Sequence, residues 1–99
     1  MGYTRTEEMN KLFETILKLD NIEECYSFFE DICTIKEMQD MAQRLAVAVL
    51  LDKGENYQKI SQEVSVSTAT ISRVSKCLHY GSGGYRLALD KMKQGEGQA

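Results

Sequence analysis

The sequence predicts an all-α fold of six helices. Apolar residues recur at i, i+3, i+4 and i+7 over most of the chain, proline is absent, and no stretch alternates with the two-residue period of a strand. A missing proline removes the strongest helix breaker. With 99 residues the chain is expected to form one domain, residues 1–93, followed by a disordered tail at 94–99 that has nothing to bury.

The elements follow in order. The first helix is read from about Glu7 to Leu19, with Met9, Leu12, Phe13, Ile16 and Leu17 on one stripe, Thr6 as its cap, and Glu7 and Glu8 where the helix dipole favours anions. The second, Ile22 to Ile32, carries Asn21 and Glu24 at capping-box spacing. Thr34 and Glu37 form a sharper box that opens the third, roughly Ile35 to Lys53. From Leu45 to Leu51 that helix is apolar on every face, which predicts burial on every side. A chain this short has few elements to wrap it, so a second copy is the expected source of cover. Lys53 and Gly54 stop it. Two shorter helices, about Tyr57 to Val64 and Ser67 to Tyr80, precede the breaker Gly81-Ser82-Gly83-Gly84, and a last helix is read from Tyr85 to about Met92.

Charge is unevenly distributed. The net charge is −3, but residues 1–56 balance to −6 and residues 57–99 to +3, so any polyanion contact belongs to the second half. Cys25, Cys33 and Cys77 have no metal-ligand spacing and are expected to be buried thiols in a reducing compartment. His79 near Cys77 does not complete a zinc site. No secretory signal and no apolar run of about 20 residues is seen, so a cytoplasmic protein without a membrane span is expected. No nucleophile–base pair, phosphate loop or paired-carboxylate motif points to an enzyme.

The stretch Tyr57–Leu78 has the pattern of a helix-turn-helix, which with Tyr80 spans residues 57–80. Ile60 and Val64 stack on one face of its first helix, Val66 plugs the turn, and Ile71, Val74 and Leu78 line the inner face of its second. Ser61 stands where a small residue, often alanine, packs between the helices, and Ser65 replaces the common turn glycine. The outer face suits duplex DNA. Ser67, Thr68, Ala69, Thr70 and Ser72 bring short hydroxyls and a methyl that allow close approach to a groove. Lys59, Arg73 and Lys76 surround them with positive charge, and Gln58 and Gln62 can reach phosphates or bases. A helix built for solubility alone would favour Glu, Lys and Ala over this β-branched, hydroxyl-rich run.

These pieces together resemble the Trp repressor superfamily, in particular its YerC/YecD branch of small bacterial proteins. The resemblance rests on Thr34 opening the long helix, Gln43-Arg44-Leu45 within it, Leu51-Asp52-Lys53-Gly54-Glu55 closing it, and Thr68-Ala69-Thr70-Ile71-Ser72-Arg73 in the recognition helix. It implies an intertwined homodimer in which the first-half helices of both chains share one core. It also implies recognition helices presented to successive major grooves of double-stranded DNA. In the tryptophan-binding members two arginines flank the indole, and a backbone position at the start of the long helix contacts the amino group. Those positions correspond to Arg44, Arg73 and Thr34, which makes them the candidate effector site. Where the tryptophan binders have glycine after the second arginine, this chain has Val74, and a nearby hydroxyl position is Cys77. The link from Gly54 to Ile60 is one residue shorter. No cofactor is therefore expected, tryptophan included, and any small-molecule effector is unknown.

The leading expectation is a transcriptional regulator, a repressor, that binds a near-palindromic operator as a homodimer on nucleoid DNA. Two other classes stay open. One is a protein-interaction module that keeps the helix-turn-helix shape, which weak and sequence-blind DNA binding would favour. The other is an effector or thiol sensor acting through Cys77, which a Cys77→Ser variant with unchanged oxidant sensitivity would eliminate.

Overall fold

The computed structural model describes residues 2–97, and every regular element among them is a helix. In chain order these are α1 (Glu7–Leu17), α2 (Ile22–Ile32), α3 (Ile35–Asp52), α4 (Tyr57–Val64), α5 (Thr68–Tyr80) and α6 (Gly84–Gly97). Two compact units are present, the first ending at Met38 and the second beginning at Gln39.

In the first unit the helix starts are set by local polar chemistry. The Thr6 side chain accepts the Met9 amide at 3.1 Å, and Asn21 accepts that of Glu24 at 2.9 Å. The Glu24 carboxylate reaches back to the amide of Asp20 at 2.8 Å rather than to that of Asn21, so the box at α2 is offset by one residue. At α3 the box is reciprocal: Thr34 Oγ1 accepts the Glu37 amide at 3.0 Å, and the Glu37 carboxylate accepts the Thr34 amide at 2.8 Å. These bonds satisfy N–H groups that a helix start leaves without partners.

Among its described residues the first unit has no buried core. Neither α1 nor α2 contains a buried residue. Leu12, Ile16, Phe28 and Phe29 are half-buried, the two phenylalanines packing edge to face, while Phe13 is 60 %, Leu17 84 %, Ile22 72 % and Ile35 67 % exposed.

The core lies in the second unit. Val47 and Ala48 of α3, Ile60 of α4, Ile71 and Val74 of α5, and Leu89 of α6 are buried together. Val49, Leu50, Leu51, Val64, Val66, Leu78 and Tyr85 pack around them. Of the run expected to be buried on every side, only Val47 and Ala48 are so; Leu45 is exposed and the others are half-buried. The chain by itself has too few elements to enclose that helix. α3 ends in a Schellman arrangement, with Gly54 at φ +85°, its amide on the Leu51 carbonyl and the Glu55 amide on that of Leu50.

α6 runs to Gly97, beyond the expected end near Met92, so the residues expected to form a tail from Gln94 are helical up to Gly97. Gln98 and Ala99 lie outside the described residues. Asp52, at the end of α3, pairs with this helix. Its carboxylate sits 2.8 Å from Arg86 and 2.7 Å from Lys93, tying the end of α3 to two successive stretches of α6. Hydrogen bonds from these two cations, Arg86 foremost, hold the Asp52 carboxyl down at about 2 from an ordinary 3.8.

Candidate nucleic-acid interface

α4 and α5 meet through the apolar ladder read from the sequence. Ile60, Ile71 and Val74 are buried, and Val64, Val66 and Leu78 are half-buried. Between the helices, Ser65 adopts a left-handed conformation at φ 61°, ψ 47°, where a glycine is more usual. Ser61 Oγ donates to the Val66 carbonyl at 2.7 Å across this turn. α4 is capped by Asn56, whose side chain accepts the Lys59 amide at 2.8 Å, and α5 by Ser67, which accepts that of Thr70 at 3.2 Å.

With the inner face of α5 fixed, the outer face follows from helical geometry. Thr68, Ala69, Ser72, Arg73 and Lys76 are all exposed, at i, i+1, i+4, i+5 and i+8, which is a single stripe opposite Ile71, Val74 and Leu78. Arg73 and Lys76 have no acidic partner among the described residues, so their charge is available to an anion. Cys77 prolongs the stripe and is exposed, as is Cys25, whereas Cys33 is half-buried. The expectation of buried thiols therefore fails at two positions, because Cys77 lies on the outer half of α5 and α2 buries nothing.

Two of the expected DNA-contacting residues are placed differently from the rest. Thr70 is half-buried, and its hydroxyl lies 3.2 Å from that of Ser67, so it serves the helix start. Lys59 is half-exposed on α4 but bonded to Glu55 at 3.1 Å, with Glu63 at 4.0 Å on its other side. The bond to Glu55 is the main reason that its pKa is raised. The i, i+4 spacing of Glu55, Lys59 and Glu63 carries this signal in the sequence. Gln58 and Gln62 are exposed on the same helix. The Asn56 cap and the Ser61–Val66 bond are the features that the apolar pattern does not reveal.

Of the candidate effector residues, Thr34 is exposed with its hydroxyl committed to the α3 capping box, and Arg44 and Arg73 are exposed on α3 and α5. Val74 is 2 % exposed and part of the core.

Comparison with known proteins decides what this arrangement is related to. A family model for the Trp repressor protein matches residues 7–93. The chain belongs to the Trp repressor family. That is a family of DNA-binding regulators. An uncharacterised protein of Bacillus subtilis strain 168, YerC, is 53 % identical over 92 residues, covering 93 % of this chain and 88 % of its own. Two solved structures share the six-helix Trp-repressor fold. A Staphylococcus aureus protein provisionally described as a Trp repressor superposes with a TM-score of 0.86 at 47 % identity, covering 90 % of this chain and 89 % of the other. A TrpR-like protein of Eubacterium eligens ATCC 27750 does so at 0.87 and 40 % identity, covering 90 % and 92 %.

Proposed function

We propose that the protein is a sequence-specific transcriptional regulator, a repressor, which acts in the cytoplasm as a homodimer on a near-palindromic operator. One observation carries the reading: a short-hydroxyl and methyl stripe on α5, edged by the cations Arg73 and Lys76, is held outward by a ladder of buried Ile60, Ile71 and Val74. Short side chains let a helix seat deeply in a major groove, and the two cations meet the phosphates at its edge. The homodimer is supported by the first unit, where Phe13, Leu17, Ile22, Tyr26, Ile32 and Ile35 are exposed in a single chain. Exposed apolar surface on this scale marks an interaction site. Two α5 helices of such a dimer would reach half-sites about 34 Å apart. Tryptophan dependence is not part of the proposal, because Val74 fills core space with its isopropyl group at a position where the tryptophan binders have glycine.

Selection of genome fragments on purified protein, followed by titration of the recovered duplex at several salt concentrations, tests the reading. A shared palindrome bound with a steep negative salt slope is expected. Weak binding with no common site would refute it and favour a second reading, a protein-interaction module. That alternative draws on the net charge of −3 and on the pairing of Lys59 with Glu55.

A further inference from the structure

We infer that Ser61 is a positioning residue for DNA reading, holding the left-handed Ser65 turn from two sides and thereby setting the pose of α5. Its consequence for DNA rests on the proposed function of α5; its geometry does not. Ser65 is the one non-glycine residue with a positive φ among the described residues. Its Cβ crowds the backbone in that conformation, so the turn must be held by its surroundings. Ser61 supplies two holds. Its carbonyl accepts the Ser65 amide at 3.0 Å, and its hydroxyl donates to the Val66 carbonyl at 2.7 Å. The two bonds bracket Ser65 and Val66, and the second grips the peptide that leads directly into Ser67.

From Ser67 the constraint passes into the recognition helix. Ser67 Oγ accepts the Thr70 amide at 3.2 Å and lies 3.2 Å from the Thr70 hydroxyl. Val66 is half-buried against the core, so the turn is pinned by packing on one side and by the Ser61 hydroxyl on the other. Ser61 and Ser65 each depart from the usual helix-turn-helix residues, and the geometry makes the departures complementary. The serine that strains the turn is matched by a serine that grips it. An alanine at position 61 keeps the backbone hold and the packing but loses the hydroxyl. The peptide between Val66 and Ser67 is then held by packing alone, and the start of α5 is less sharply fixed. Base reading works within a few tenths of an ångström of donor–acceptor distance. Attraction to phosphates falls slowly with distance. A loosened pose therefore costs the specific complex more than the non-specific one.

The test compares wild type, Ser61→Ala, Ser65→Gly and the double variant. Each is titrated with the duplex recovered by selection and with a scrambled duplex of equal length, and amide hydrogen exchange is followed at residues 66–70. Ser61→Ala is expected to weaken binding to the recovered duplex about fivefold, the worth of one hydrogen bond, with the scrambled duplex within about twofold of wild type. Exchange at residues 66–70 should quicken by about the same factor. In the Ser65→Gly background, where the turn no longer needs holding, both effects should shrink below about twofold. Equal losses on both duplexes, unchanged exchange, or a full fivefold effect that persists alongside Ser65→Gly would each overturn the inference. If wild type selects no duplex, the proposed function falls, and exchange still decides whether Ser61 holds the turn: acceleration suppressed by Ser65→Gly upholds it, and unchanged rates overturn it.

Discussion

Replacing Ile71 with alanine and, separately, Ser72 with glutamate tests whether neighbouring residues of α5 face opposite ways. Ile71 is fully buried, at 0 % exposure. Removing its outer carbons forfeits ~0.8 kcal/mol for each carbon lost, and the cavity left behind adds to that, so the expected loss is about 3 to 4 kcal/mol. For a chain of this size that lowers the urea midpoint by about 2 to 3 M. Binding of the recovered duplex, corrected for the folded fraction, should stay within about twofold of wild type. Ser72 is exposed on the outer stripe, so glutamate there should leave the urea midpoint almost unchanged. A carboxylate brought within about 7 Å of a phosphate at an effective dielectric near 20 costs about 2.4 kcal/mol, roughly 50-fold in affinity. Urea denaturation and DNA titration on the same preparations read both effects. Ser72→Glu binding like wild type, or Ile71→Ala losing affinity per folded molecule by a similar factor, would refute this assignment of faces. Ser72 is a cleaner probe than Thr70, whose contact with Ser67 makes any change there disturb the helix start as well.

Three further outcomes follow from the same geometry. Lys76→Met should lower the salt slope of DNA binding by about one, whereas Lys59→Met should lower it by less, since Lys59 is already bonded to Glu55; equal slopes in a salt titration would contradict the pairing. Asp52 has a pKa depressed to about 2, so its pairs with Arg86 and Lys93 stabilise the fold fully above the ordinary 3.8 and lose effect as pH falls from there to about 2. The stability gap between wild type and Asp52→Asn, measured by urea denaturation, should accordingly close across that window; a gap independent of pH would count against the pairs. Leu17→Glu, placed on the most exposed apolar side chain of the first unit, should shift the proposed dimer to monomer in analytical ultracentrifugation at micromolar concentration, and a mass equal to that of wild type would remove that face from the proposed interface.

Much of the fold was legible because its determinants are local. Thr34 and Glu37 stand three residues apart, and their reciprocal bonds require nothing beyond the first turn of α3. The ladder from Ile60 to Leu78 was equally readable, since each apolar residue is fixed by helical period and one short turn. Contacts between residues distant along the chain leave no such trace. Nothing in the neighbourhood of Asp52 announces Arg86 or Lys93, yet those pairs accompany a last helix that outruns its apolar stripe. Apolar spacing also reports what a side chain must avoid rather than what supplies the cover: the run from Leu45 to Leu51 asks for burial on every side, and within one chain only Val47 and Ala48 receive it. On the outer face of α5 and on α4, residue type marked side chains that the structure exposes but missed local competition. Thr70 and Lys59 are donors by chemistry and already occupied by neighbours in the structure.

The absence of a buried side chain from α1 and α2 has a genetic corollary on the proposed homodimer. The surface through which two copies would recognise each other takes in the whole exposed first unit and the long helix α3, whereas the surface that would read DNA is the outer face of α5. A chain damaged only on α5 would still pair with an intact one and hold it in a dimer able to engage a single half-site. Substitutions such as Ser72→Glu should therefore be dominant in a cell carrying both alleles, whereas lesions of the first unit, which remove the chain from partnership altogether, should be recessive.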